Sequence, residues 1–189
     1  RPMAKSGSLR FGTIDTWILW KLTGGKVHAT DFTNASRTLI FDIRGKKWSE
    51  ELCEILGIPM NILPEVYPSA YTYGKTLSCP GLPDGIPIGG IAGDQQAAMV
   101  GQNCIAPGRA KNTYGTGCFM LLNNGEDFTI STNGLLTTLT PDNKGNPVYA
   151  LEGSVFIGGA VMQWLRDYMH FFDSATESEG IASSQFNKE

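Results

Sequence analysis

A chain of 189 residues, 41% hydrophobic and 17% charged, holds enough apolar material for one ordinary domain or pieces of two. Its net charge of −3 includes no block of Lys or Arg, which argues against nucleic acid or an anionic membrane surface as the main partner. The longest apolar runs, such as residues 86–92, are far too short to span a bilayer. Arg1-Pro2-Met3-Ala4-Lys5 leads straight into Gly- and Ser-containing chain, so no secretory signal is expected. Cys53, Cys79, Cys104 and Cys118 form no CxxC pair, and His28 and His170 stand apart. That pattern favours reduced thiols in a cytoplasmic protein over a disulfide frame or a zinc site, and no residue is assigned to a metal.

In residues 8–22, Trp17, Trp20 and Lys21 fall at helical spacing, and Gly24-Gly25 stops the element. Residues 26–43 are rich in Thr, Val, Phe and Ile and predict short strands around the polar segment from Asp31 to Arg37. A short helix follows, capped by Ser49, with Glu50 and Glu51 in its first turn and Leu52, Ile55 and Leu56 as its buried face. Gly57 and Pro59 end it. Residues 64–85 are dense in proline and glycine and read as loop, with one strand around residues 71–76. Residues 86–92 predict a buried strand with an edge proline, and residues 95–102 a helix that Gly101 weakens or ends. Two strands, 109–114 and 118–122, flank a Gly115-Thr116-Gly117 tip, and Asn123-Asn124-Gly125 closes the second. Residues 134–140 and 148–152 make another hairpin. Beyond Gly153 an amphipathic helix runs to about His170, with Val161, Trp164, Leu165 and Tyr168 on one stripe. A change in composition over residues 102–108 marks the boundary between two domains.

Chemistry concentrates in two glycine-flanked turns. Asp94, in Gly93-Asp94-Gln95-Gln96, follows a predicted strand and opens a predicted helix. It either caps that helix or sits where α/β folds keep their chemistry, accepting a hydroxyl proton as an alcohol attacks a phosphoryl group. Thr116 lies either at an ordinary hairpin tip, whose glycines supply positive φ angles, or in a turn whose N–H groups and hydroxyl clasp a phosphoryl group. Gly158 and Gly159, each costing about 1 kcal/mol relative to alanine in a helix, ask for compensation. Close packing of helix on sheet supplies it, or else backbone approach to a nucleotide, with Gln163 one turn later. By position alone Phe119 reads as core, and Trp17, Trp20, Trp48 and Trp164 as packing residues. Lys111 and Glu152 read as surface or cap residues.

Four segments then carry a resemblance: Thr30-Asp31-Phe32-Thr33-Asn34-Ala35-Ser36-Arg37-Thr38, Gly90-Ile91-Ala92-Gly93-Asp94-Gln95-Gln96-Ala97-Ala98, Lys111-Asn112-Thr113-Tyr114-Gly115-Thr116-Gly117-Cys118-Phe119 and Tyr149-Ala150-Leu151-Glu152-Gly153. In this order they resemble the glycerol kinases of the FGGY carbohydrate kinase family, over nearly the whole chain until about Phe172. The resemblance implies an α/β fold of the ribonuclease H-like, actin-like ATPase type, with two domains and an active site in the cleft between them. Residues 1–103 then correspond to the later part of the N-terminal domain and 104–189 to the start of the C-terminal domain. Asp94 matches the catalytic base and Gln95 a residue that holds a glycerol hydroxyl, while Phe119 matches a ring that packs on the glycerol carbons. Gly115 and Thr116 match a phosphate-contacting turn, and Gly159 and Gln163 match nucleotide contacts. The implied reaction is ATP plus glycerol giving sn-glycerol 3-phosphate and ADP, with Mg²⁺, in the cytoplasm, without membrane insertion and with self-association left open. Family members run to roughly two and a half times this length, so half of each binding site is expected to lie outside these residues. Two alternatives stay open: another FGGY kinase acting on a pentulose or longer polyol, and a non-catalytic protein that keeps the actin-like scaffold.

Overall fold

The computed structural model describes residues 2–186, so that Arg1 of the N-terminal segment and residues 187–189 of the second predicted domain lie outside the described residues. After one helical turn, α1 (Pro2–Lys5), helix α2 (Ile14–Leu22) ends just before the Gly24-Gly25 pair, as its sequence predicts. Strand β1 (Ala29–Asp31) is fully buried. Short strands do flank the polar segment after it, as expected. The segment turns at once into α3 (Phe32–Ala35), because the Asp31 carboxylate accepts from the N–H groups of Thr33 and Asn34 and so caps the turn. Strands β2 (Phe41–Asp42) and β3 (Lys47–Trp48) form a small antiparallel pair.

Helix α4 (Glu50–Leu56) has the ends its sequence asks for: Ser49 Oγ accepts from Leu52 N at 3.2 Å, and Gly57 closes it with φ 66°. Its face is a correction. Cys53 is the buried residue, while Leu52, Ile55 and Leu56 are exposed. Spacing defines an apolar stripe but not what covers it, and here Cys53 is the one residue of the helix that packs inward. A 3₁₀ turn, Met60–Ile62, leads to β4 (Glu65–Tyr67), which pairs parallel with β1 in a segment expected to be loop.

The expected buried strand over residues 86–92 is reduced to β6 (Pro87–Ile88), antiparallel to β5 (Gly74–Lys75). Pro87 has no N–H and Gly89-Gly90 adds no packing side chain, so the ladder cannot extend. The remaining N–H groups go to scattered acceptors instead: Ile86 N donates to Thr76 Oγ1 at 2.9 Å and Ile91 N to the Ser69 carbonyl at 2.9 Å. Helix α5 (Asp94–Gly101) follows where expected. Strands β7 (Ala110–Tyr114), β8 (Cys118–Gly125), β9 (Leu136–Pro141) and β10 (Pro147–Val155) form a sheet in the order β7-β8-β10-β9. The β9–β10 hairpin is antiparallel, from Pro141 opposite Pro147 to Leu136 opposite Glu152. Helix α6 (Ala160–Asp167) is shorter than the expected span from beyond Gly153 to about His170, and Val161, Trp164 and Tyr168 are exposed. The described residues end with α7 (Ala175–Phe186), an element with no sequence-based expectation.

Two compact units result. The first comprises residues 2–111 and 121–152, the second residues 112–120 and 153–186. In the first, buried apolar clusters form around Leu19, Ala29 and Tyr73, around Phe41, Leu139 and Tyr149, around Met99 and Leu121, and around Cys53 and Ile62. In the second, Phe172 is the one buried hydrophobic residue among the described residues. No described helix is long and apolar enough to cross a membrane.

Candidate active site

Asp31 organises the first unit's polar centre. Its side chain is fully buried and accepts from Thr33 N (3.1 Å), Thr33 Oγ1 (2.7 Å), Asn34 N (3.0 Å), Asn34 Nδ2 (2.8 Å) and Ser69 Oγ (2.6 Å). A buried carboxylate is tolerated only when its oxygens are satisfied in this way. Thr33 Oγ1 gives its proton to Asp31 and accepts from Gly93 N at 2.8 Å. The hydroxyl therefore fixes the residue that precedes α5, and through it the position of Asp94.

Asp94 does not cap α5. Gly93 occupies the cap position without a side-chain cap bond, and Asp94 is the first helical residue, with its side chain exposed. Gln95 Nε2 lies 3.5 Å from Asp94 Oδ2, and Gln95 Oε1 accepts from Lys111 Nζ. Gln96 points the other way, buried, donating to the Leu139 carbonyl at 3.2 Å.

Lys111 and Glu152 are not surface residues: they are only 6% and 4% exposed. Glu152 receives both Arg37 nitrogens, at 2.9 and 3.0 Å, in the bidentate geometry that a guanidinium favours. Burial lowers the Lys111 pKa, while the Asp94 and Glu152 carboxylates act to raise it. The two pairs, Arg37 with Glu152 and Lys111 with Gln95, join all four of the segments that carry the resemblance. Position along the chain gave no hint of these partners. Asp31 did have a signal, since Asp before a polar four-residue turn is an N-cap pattern.

In the second unit, Gly115-Thr116-Gly117 is not a turn that needs positive φ, since neither glycine adopts it. Gly117 is required by crowding: a Cβ there would lie 2.7 Å from the Val155 carbonyl oxygen. Gly158 N donates to the Thr116 carbonyl at 2.7 Å and Gly159 N to the Gly115 carbonyl at 2.8 Å. A Cβ on Gly159 would meet that same Gly115 oxygen at 2.6 Å, and one on Gly158 would meet Cys118 Sγ at 2.5 Å. Close backbone packing thus accounts for both glycines. The Thr116 side chain and Gln163 are exposed, and Phe119 is half-buried. Trp48 packs edge-on against Phe41 and Trp20 against His28, whereas Trp17 and Trp164 stay exposed, against their expected packing role.

All four cysteines are free thiols. Among the described residues, no group of three or more His, Cys, Asp or Glu side chains is placed to hold a metal.

An exposed carboxylate beside an oriented amide, on a mixed α/β frame, suits proton transfer from a hydroxyl. Residues 3–101 match the N-terminal domain of the FGGY family of carbohydrate kinases, and residues 110–189 match its C-terminal domain. The chain belongs to the FGGY family of carbohydrate kinases and has its ribonuclease H-like, actin-like ATPase type of fold. Among individual relatives, it is 60% identical over 183 residues to the glycerol kinase of Carboxydothermus hydrogenoformans, covering 97% of this chain and 37% of that one. It is 56% identical over 184 residues to the glycerol kinase of Leptospira biflexa serovar Patoc, with 97% and 37% covered. A crystal structure of Plasmodium falciparum glycerol kinase with ADP is similar with a TM-score of 0.89 at 39% identity, over 97% of this chain and 37% of that one. The chain therefore spans 37% of the length of these relatives.

Proposed function

We propose that the protein carrying this chain phosphorylates glycerol with ATP, giving sn-glycerol 3-phosphate and ADP. The observation that carries the reading is Asp94, an exposed carboxylate at the start of α5 that spends no bond on capping its helix. A loose phosphoryl-transfer transition state chiefly needs an oriented nucleophile, a role that an exposed carboxylate can fill. In this reading Asp94 accepts the proton of the attacking hydroxyl, Gln95 holds a glycerol hydroxyl, and Phe119 packs on the carbon chain. Gly115 and Thr116 contact the transferring phosphate, with the exposed Thr116 hydroxyl as donor. Gly159 and Gln163 contact the nucleotide.

Mg²⁺ fits this donor set on one condition. With no group of three or more His, Cys, Asp or Glu placed to hold it among the described residues, it would be carried mainly by phosphate oxygens. When bound, such an ion neutralises charge developing on the phosphoryl oxygens. The division into residues 1–103 and 104–189, as parts of the N- and C-terminal kinase domains, belongs to the same proposal. So does a cytoplasmic location, which the free thiols support.

The test is a coupled ADP-release assay on the complete gene product, with glycerol, a pentulose and a longer polyol as acceptors. Asp94→Asn is expected to lower kcat by about a hundredfold or more with an unchanged unfolding midpoint. A rate within twofold of the parent removes Asp94 from the mechanism, and a preference for the pentulose replaces the substrate.

A further inference from the structure

Lys111 lies on β7, buried, with its Nζ against the Gln95 side-chain amide. An ammonium has three donors and no acceptor, so the amide atom facing it must be the oxygen. The two ends of the Gln95 amide are thereby distinguished by chemistry. Oε1 is committed to Lys111, and Nε2 is turned to the side of Asp94, 3.5 Å from Oδ2. A hydroxyl that touches both Nε2 and Oδ2 has one consistent arrangement: its oxygen accepts from the amide and its proton points to the carboxylate. The flipped amide would present Oε1 instead, a second acceptor competing with Asp94 for the same proton. We propose that Lys111 is a positioning residue that fixes the orientation of the Gln95 amide, and so aims the proton of the substrate hydroxyl at Asp94. This rests on the assignment of Asp94 and Gln95 to the acceptor site.

The experiment is a double-mutant cycle in the complete gene product, read as KM for the polyol, KM for ATP and kcat. Lys111→Met removes the donor. Lys111→Gln keeps a polar group that can accept as well as donate, so it no longer dictates one orientation. Both are expected to raise the polyol KM about tenfold with the ATP KM unchanged, the size of one well-placed hydrogen bond. Combined with Gln95→Ala, neither should add a further change, since Lys111 acts through the amide. An unchanged polyol KM, or effects that add in the double variant, overturns the proposal. If Lys111→Met fails to fold, Lys111→Gln carries the same two readings. Failure of the underlying assignment looks different: Asp94→Asn and Gln95→Ala would then themselves leave the kinetics unchanged.

Discussion

The starts of α5 and α6 follow the same local plan and are held by opposite means. Each helix has a glycine at its cap position and no side-chain cap bond. At α5 the anchor is a side chain: Gly93 N donates to Thr33 Oγ1, and that hydroxyl is held by the buried Asp31. At α6 the anchor is backbone alone, the N–H groups of Gly158 and Gly159 meeting the carbonyls of Thr116 and Gly115. The difference decides where each site is vulnerable. The first depends on polar atoms that are present at distant positions, the second on side-chain atoms that are absent at adjacent ones.

The largest effect expected is on the side-chain anchor. Asp31→Asn replaces one acceptor oxygen by an amide nitrogen that can only donate, facing donors on Thr33, Asn34 and Ser69. It should cost about 3 kcal/mol, seen as a lower urea midpoint at unchanged slope. A midpoint equal to the parent's would show that Asp31 is not the anchor. Next comes the backbone anchor. Gly159→Ala must push its methyl against the Gly115 oxygen, 2.6 Å away, at a cap position where alanine is in any case poorer than glycine, and should cost about 2 kcal/mol. Thermal unfolding measures it, and a stabilised variant would mean that the approach is not tight. The smallest effect sharpens the contrast. Thr33→Val keeps the shape but removes both the donor to Asp31 and the acceptor for Gly93 N, at about 1.5 kcal/mol. Turnover should fall several-fold, and Thr33→Ser should restore it. Equal loss in Thr33→Ser would assign the effect to the missing methyl rather than the hydroxyl.

What the sequence made legible was local. Ser49 and Gly57 bound α4, Gly101 closes α5, and the β9–β10 hairpin pairs about its Pro141–Pro147 turn, since caps and turns are decided within a few residues. The start of α5 at Asp94 was legible for the same reason. Burial of charge was not. Lys111 and Glu152 are expensive to bury until Gln95 and Arg37 are known to meet them, and nothing local announces those partners. The stripe Leu52, Ile55 and Leu56 misled for a related reason, because periodicity shows that a face exists but not that anything packs on it. Residues 86–92 misled by composition: apolar content suggested a strand, while Pro87 and the glycines denied it a ladder.

The ion pair of Arg37 with Glu152 spans 115 positions, which sets a timetable for synthesis. At the roughly 5–20 residues per second of a translating ribosome, the glutamate follows its arginine by about 6–23 s. Asp31 waits far less, since the most distant of its donors, Ser69, is 38 positions away. On the nascent chain the aspartate's cap can therefore close early, while the guanidinium stays in water until β10 emerges to latch the segment in place.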